Sequence, residues 1–204
     1  MAWFARLLAE AGIRRGRLLD LGCGRGRNSL PFIRRGWRVT GMDPVSGALA
    51  AFERLARTHR SRLTLHCGSF AGPLPWSDGA FDAVMEITAA DNLANRRRQQ
   101  RLWRECARVL KPGGLLLSYH FTRRDGYYGL LLRKSGRRKQ GILFDRRAGM
   151  GFRFYTAGDI AAAARGRLQR LETRSYRYPG PMFGRRYVRD LKAAVFRKRL
   201  RTGR

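Results

Sequence analysis

Apolar positions along this chain fall alternately at helical spacing and in short continuous runs, and that alternation predicts the architecture. Trp3, Phe4, Leu7, Leu8 and Ala11 lie on one helical face, predicting an amphipathic helix over residues 2–11 that Gly12 stops. A strand over 17–21 follows, then a helix over 28–35 with Pro31 near its start, where a missing amide hydrogen costs nothing. Residues 37–42 read as a second strand. Ser46 then precedes Leu49, Ala50, Phe52, Leu55 and Ala56, predicting an N-cap and a helix to about residue 60. Leu63–Cys67 reads as a third strand, the prolines and glycines of 68–80 as a loop, and Phe81–Met85 as a fourth strand. Leu102, Trp103, Cys106, Val109 and Leu110 mark a helix over 97–110, closed by Lys111-Pro112-Gly113-Gly114 ahead of a buried strand at 115–120. Strands alternating with helices in this way predict an α/β domain with a parallel sheet.

Beyond residue 120 the pattern is less regular. Residues 121–153 are dense in Arg and Lys interleaved with Tyr127, Tyr128, Phe144 and Phe152. Thr156 precedes a short helix through Ile160 and Ala164, Leu168–Tyr176 alternates as a strand, and Tyr178-Pro179-Gly180-Pro181 reads as a turn. Residues 193–198 predict the last strand, although Gly184 and the spacing of Tyr187, Leu191 and Val195 also allow a closing helix over 184–199. No internal repeat is present. The expected organisation is one domain over 1–204, with an N-terminal helical segment at 1–14 and a basic insert at 121–153.

The candidate chemistry lies at the first strand. Leu18-Leu19-Asp20-Leu21-Gly22-Cys23-Gly24-Arg25-Gly26 is a strand running into a glycine-rich turn, and the second strand ends in Asp43. Such turns let the backbone approach a ligand closely, and they sit where open α/β sheets bind ligands. A dinucleotide fold wants G-x-G-x-x-G; its third glycine would fall at Arg27, which disfavours a nicotinamide oxidoreductase. Asp20 through Gly26 instead resembles motif I of the class I S-adenosylmethionine-dependent methyltransferases, an acidic residue followed by alternate glycines. Two more blocks are similar to that family in order and distance: Leu74-Pro75-Trp76-Ser77-Asp78-Gly79-Ala80-Phe81-Asp82-Ala83-Val84 and Arg108-Val109-Leu110-Lys111-Pro112-Gly113-Gly114. Phe154-Tyr155-Thr156-Ala157-Gly158-Asp159-Ile160 resembles a later helix opening of the same family.

The resemblance implies a Rossmann-like three-layer α/β/α sandwich with a mostly parallel seven-stranded sheet and an antiparallel last strand. It also implies S-adenosylmethionine as cofactor. Gly22, Cys23, Gly24 and Gly26 would approach it with their backbone, and Asp20 would favour its cationic methionyl end. Asp43 would accept both ribose hydroxyls, and Pro44 would pack on the adenine. The family often has an Asp after strand three; here Ser69 stands in its place, with Phe70 beside it to cover the adenine face. Glu86 ends the fourth strand beside the methyl acceptor's entry and is included among the cofactor contacts. Asp91 is the candidate general base and His120, at the end of strand five, a candidate substrate-side group. Asp82 reads as structural. Glu86-Ile87-Thr88-Ala89 replaces the Asn/Asp-Pro-Pro-Tyr/Phe of base-amine methylating members, which disfavours that chemistry.

Charge widens the choice of acceptor. The formal net charge is +30, from 44 basic and 14 acidic residues, and such a surplus attracts polyanions. Nearly all the basic residues are Arg, as a coding bias would also produce, so charge alone does not name a substrate. The function expected is methyl transfer to an oxygen or nitrogen of a small molecule. The alternatives are an RNA methyltransferase, with the basic insert as recognition surface, and a non-catalytic basic RNA-binding protein that keeps the fold. Cys23, Cys67 and Cys106 are far apart, which indicates neither a metal site nor a disulfide framework and suits a reducing, cytoplasmic compartment. No apolar run reaches membrane-spanning length, and the short N-terminal helix allows at most a weak membrane-surface association.

Overall fold

The computed structural model describes residues 1–200. α1 (Ala2–Glu10) leads into β1 (Arg17–Leu21), α2 (Leu30–Arg34), β2 (Arg38–Asp43), α3 (Ser46–Leu55) and β3 (Leu63–Cys67). β4 (Phe81–Ile87), α4 (Arg96–Val109) and β5 (Leu110–Phe121) follow. The insert forms α5 (Tyr128–Lys134) and a small hairpin of β6 (Ile142–Asp145) and β7 (Met150–Arg153). α6 (Ala157–Ala163) then precedes a long closing hairpin, β8 (Leu168–Met182) and β9 (Arg185–Lys198).

Seven strands form one sheet in the order β3-β2-β1-β4-β5-β9-β8. β1 to β5 pair in parallel and β9 runs antiparallel to both its neighbours, as the resemblance implied. The order reverses between β1 and β4, so the carboxyl ends of those two strands flank the crevice where such sheets take ligands. One apolar layer packs α1, α2 and α3 against the sheet through Phe4, Leu8, Phe32, Ile33 and Phe52. The other packs α4 and α6 through Leu102, Trp103, Cys106, Ile160 and Ala163. The apolar face of α1 is therefore spent on the protein core, which removes the membrane-surface reading. Among the described residues no helix is long and apolar enough to cross a membrane.

Two local expectations are corrected, and the closing segment is decided in favour of the strand. Ser46 is the first helical residue and not the cap; Val45 caps α3, which gives way after Leu55 to a 3-10 segment over Arg57–Arg62. Tyr178-Pro179-Gly180-Pro181 is not a turn but part of β8, paired with β9. β8 is an edge strand, and proline is tolerated there because its missing N–H can face outward. The reversal comes at Phe183-Gly184, both at positive φ (49° and 76°), in the two-residue hairpin loop that favours this geometry. The closing segment is strand throughout, not helix. Ala193 and Val195 face one apolar layer while Ala194 and Phe196 face the other. A strand buried on both sides loses its alternation, and its apolar positions then also fit a helical spacing.

The insert is not an open basic loop. Tyr127, Tyr128, Leu132, Leu143, Phe152 and Phe154 form a small core of their own. Asp125, fully buried, accepts the backbone N–H groups of Tyr127 and Tyr128 at 3.1 and 2.9 Å and the guanidinium of Arg189 at 2.8 Å, tying the insert to β9. Of the four aromatic residues expected to interleave with arginine as stacking platforms, only Phe144 is exposed.

Candidate cofactor and acceptor site

The glycine turn is built by its own backbone. Gly22, Gly24 and Gly26 all have positive φ (72°, 52° and 78°), a region where side chains are strained. Each glycine then has its own packing. A Cβ at Gly22 would lie 2.3 Å from the Ala89 Cβ, and one at Gly26 would enter the Phe52 ring at 2.0 Å. At Gly24 nothing stands within 4 Å of that position, so the turn is tightly packed at both ends and open in the middle.

Asp43 faces this opening from the end of β2. Its Oδ2 accepts the Gly24 N–H at 2.9 Å and its Oδ1 the Val45 N–H at 2.9 Å. An ionised carboxylate offers about four acceptor positions, so one on each oxygen stays available to a pair of hydroxyls. Asp20 lies deeper, 2% exposed, with its Oδ2 accepting the Ser29 hydroxyl at 2.7 Å. Burial, reinforced by the neighbouring Asp43 and Glu86, pushes its pKa up to about 7. A cation brought alongside would restore the carboxylate.

The other cofactor candidates are placed differently from one another. Cys23 turns its side chain inward, close to Gly41, and burial drives its thiol pKa upward, so only its backbone borders the turn. Pro44 is exposed at the end of β2. Ser69 is exposed and accepts the Ala71 N–H at 3.2 Å. Phe70 is 7% exposed and belongs to the apolar cluster that includes Met42, Ala89 and Leu93, with a ring carbon 3.6 Å from where a Cβ at Gly22 would lie. Asp82 is structural, accepting the Arg17 N–H at 2.8 Å and pairing with Lys111 at 2.6 Å.

Glu86 has a different role from the one its position suggests. It is fully buried; its Oε2 accepts the N–H groups of Ala89 and Ala90 at 3.1 and 2.8 Å, and its Oε1 the hydroxyls of Ser118 and Tyr155 at 2.8 and 2.6 Å. With four donors on it, the carboxyl holds the 88–91 loop down from inside and presents no free face to the crevice. That loop carries Thr88 at φ 55°, a strained value for a β-branched residue, and Ala89 closes over Gly22.

Asp91 is also fully buried. Its Oδ2 accepts the Phe121 N–H at 3.3 Å, while its Oδ1 has no partner. Burial, and then the nearby Glu86, raises its pKa well above the ordinary carboxylate value. His120 is 2% exposed, packs its ring 4.6 Å from that of Tyr155, and leaves Nδ1 unpartnered. Burial, with Lys192 adding to it, lowers its pKa to about 4, so the ring is neutral.

Two cavities flank the end of β5, on opposite faces because successive strand residues point opposite ways. Tyr119 lines a cavity of about 260 Å³ with Trp3, Arg27, Asn28, Ile87 and Tyr176. Arg27 and Asn28 follow the glycine turn directly and Ile87 follows Glu86, so this aromatic cavity adjoins the crevice. His120 lines the other, of about 960 Å³, which is bordered by the insert and α6 and by none of the glycine-turn residues. The sequence reading missed the aromatic cavity, since Tyr119, Tyr176 and Tyr178 come together only through β5–β9–β8 pairing. It also missed Tyr155 and Ser118 as partners of Glu86. The Phe-Tyr-Thr helix opening was the one available signal for Tyr155.

Residues 18–114 match the family model described as a methyltransferase domain. An uncharacterised protein of Mycobacterium tuberculosis is 35% identical over 130 residues, covering 62% of this chain and 44% of that protein. A ubiquinone biosynthesis O-methyltransferase of Bradyrhizobium is 32% identical over 101 residues, covering 50% of this chain and 38% of that enzyme. The chain thus spans less than half the length of these curated relatives. Among solved structures, a SAM-dependent methyltransferase from Methanosarcina mazei superposes with a TM-score of 0.73 at 20% identity, covering 95% of this chain and 97% of that one. The glycine turn and the carboxylate that closes it lie in the segment that matches the methyltransferase domain, and the chain shares the fold of that SAM-dependent methyltransferase.

Proposed function

We propose that this protein transfers a methyl group from S-adenosylmethionine to an oxygen or nitrogen atom of a small molecule. The observation that carries the reading is the open backbone at Gly24 beside an Asp43 carboxylate with acceptor positions to spare. These residues fit the cofactor: Asp43 would hold the ribose, the turn backbone would lie along the chain joining ribose and methionine, and Asp20 would face the cationic end. When bound, the cofactor supplies an activated methyl group on a sulfonium, so the protein's main task is to hold the acceptor close and aligned.

The aromatic cavity is the acceptor's place in this reading. Trp3, Tyr119 and Tyr176 give it flat apolar walls, and Arg27 and Asn28 supply polar groups next to the turn. Its size suits a small planar molecule, and the kinship with a ubiquinone biosynthesis O-methyltransferase supports a small-molecule acceptor. Neither Asp91, which is fully buried, nor His120, which faces the other cavity, lines this one. An RNA substrate is disfavoured because Tyr127, Tyr128 and Phe152 are buried in the insert's core and offer no face for bases. Three cysteines without disulfides support a cytoplasmic location.

Calorimetric titration with S-adenosylhomocysteine tests the cofactor site. The wild-type chain is expected to bind it, and Asp43→Ala to weaken binding about 100-fold or more, since hydrogen bonds to a charged group contribute about 1.5–3 kcal/mol each. Labelled S-adenosylmethionine incubated with fractionated cell extract then assigns the acceptor class. Label in the metabolite fraction supports the reading, whereas label confined to RNA or no binding of S-adenosylhomocysteine by the wild type overturns it.

A further inference from the structure

The larger cavity, of about 960 Å³, lies on the opposite face of β5 from the aromatic one and has a different chemistry. Seven cationic side chains line it and one carboxylate, Asp159. They arrive from separate elements: Arg96 at the start of α4, Arg123 and Lys139 from the insert, Arg153 from β7, Arg170 from β8 and Lys192 from β9. Asp159 offsets one of these seven charges, with its Oδ2 also accepting the N–H and hydroxyl of Thr156 at 2.9 and 2.8 Å. A genome-wide preference for arginine would scatter cations over solvated faces, where repulsion is smallest. Here they converge on a concave wall.

Two buried, unpartnered nitrogens in that wall mark where a ligand would be met. The Arg153 Nε is buried without a partner, although its Nη1 reaches the Gln140 carbonyl at 3.4 Å. Beside it, the imidazole of His120 leaves Nδ1 buried and unpartnered. Buried polar atoms of this kind are costly unless a ligand or a solvent molecule meets them. Burial and the neighbouring Arg96 and Arg123 also lower the Arg153 pKa, against a smaller opposing effect of Asp159, as expected of cations crowded with too little counter-charge. An anion placed among them would relieve repulsion and satisfy donors at once, and in a walled, partly desolvated site that attraction is stronger than on an open surface.

We propose that this cavity is a binding site for a phosphate-bearing small molecule carrying at least two negative charges, held by Arg96, Arg123, Arg153, Arg170 and Lys192. Its volume matches that of small-molecule sites, roughly 300–1,000 Å³. Planar guanidinium groups from several directions suit the oxygens of a phosphate or diphosphate. The aromatic residues of the insert are turned away into their own core, so the cavity offers charge without the stacking that single-stranded RNA uses. Binding there does not depend on the methyl-transfer reading, since none of the glycine-turn residues line it.

The test uses the full chain and inorganic pyrophosphate, titrated calorimetrically at about 0.15 M salt to screen diffuse attraction. Wild type should bind at one saturable site per chain. Arg153→Ala combined with Lys192→Ala should weaken binding about tenfold to a hundredfold. The same charge removed from an exposed face, as Arg54→Ala with Arg57→Ala, should change it less than about twofold. Retained S-adenosylhomocysteine affinity in the first double variant shows that it is folded, and Arg153→Lys with Lys192→Arg, which keeps the charge, gives a second folded comparison. Equal weakening in both Ala pairs, or no saturable binding up to about 1 mM, overturns the proposal. So does tighter binding of a single-stranded RNA oligonucleotide that the cavity variants abolish.

Discussion

Glu86 is where sequence position and three-dimensional role diverge most, and its replacement gives a quantitative prediction. Four donors converge on the buried carboxyl: two backbone N–H groups from Ala89 and Ala90 and two hydroxyls from Ser118 and Tyr155. Glu86→Leu removes every acceptor. The hydroxyls can pair with each other, being 3.2 Å apart already, but the two N–H groups have no alternative partner. Each buried orphan costs about 1–3 kcal/mol, so the variant should lose roughly 2–6 kcal/mol. For a chain of this size that corresponds to a fall in Tm of roughly 4–24 °C. Glu86→Gln keeps one carbonyl oxygen for the two N–H groups and turns its NH₂ toward hydroxyls that can reverse to accept it. Its cost should be no more than about 1 kcal/mol.

Urea unfolding and S-adenosylhomocysteine titration of both variants separate the two roles Glu86 could have. A loop anchor predicts that Gln retains both stability and affinity, whereas Leu loses stability and, through release of the strained Thr88 and of Ala89 over Gly22, affinity as well. A direct cofactor contact predicts the reverse for Gln: normal stability with affinity reduced about tenfold or more. That outcome, or a Leu variant as stable as wild type, would refute the reasoning.

Three further substitutions probe other parts of the site. Asp20 has a folded pKa near 7 against an ordinary value of 3.8, so its contribution to stability is full below about pH 4 and is lost as pH rises through 7; Asp20→Asn should flatten the chain's stability between pH 5 and 7 by about 2 kcal/mol, read from urea midpoints at each pH. Gly26→Ala adds a Cβ inside the Phe52 ring at a left-handed φ, and should cost roughly 2–5 kcal/mol by thermal unfolding, with Phe52→Leu in the same chain recovering only the packing part. Asp91→Asn keeps an oxygen to accept the Phe121 N–H, and because Asp91 is fully buried and does not line the aromatic cavity, S-adenosylhomocysteine affinity and labelled methyl transfer at pH 7 should both stay within about twofold of wild type; a loss of transfer with binding intact would assign Asp91 the role of base.

What the sequence disclosed and what it withheld follow one physical distinction. The glycine turn, Asp43 and the parallel half of the sheet depend on short-range rules: backbone angles only glycine takes freely, a carboxylate at a strand end, apolar runs closed by Pro-Gly. Those rules act within about twenty residues and are written in that span. The misplaced elements all depend on partners distant in the chain. Pro179 and Pro181 read as a turn until β8 is known to be an edge strand. Tyr127, Tyr128 and Phe152, interleaved with arginine, read as a polyanion surface until their rings are found packed on one another, Tyr128 and Phe152 with centroids 4.1 Å apart. Burying those rings separates the insert's two kinds of residue, apolar inward and cationic outward. The cations that remain on the side toward α6 and β9 are what make the larger cavity an anion site instead of a surface for bases.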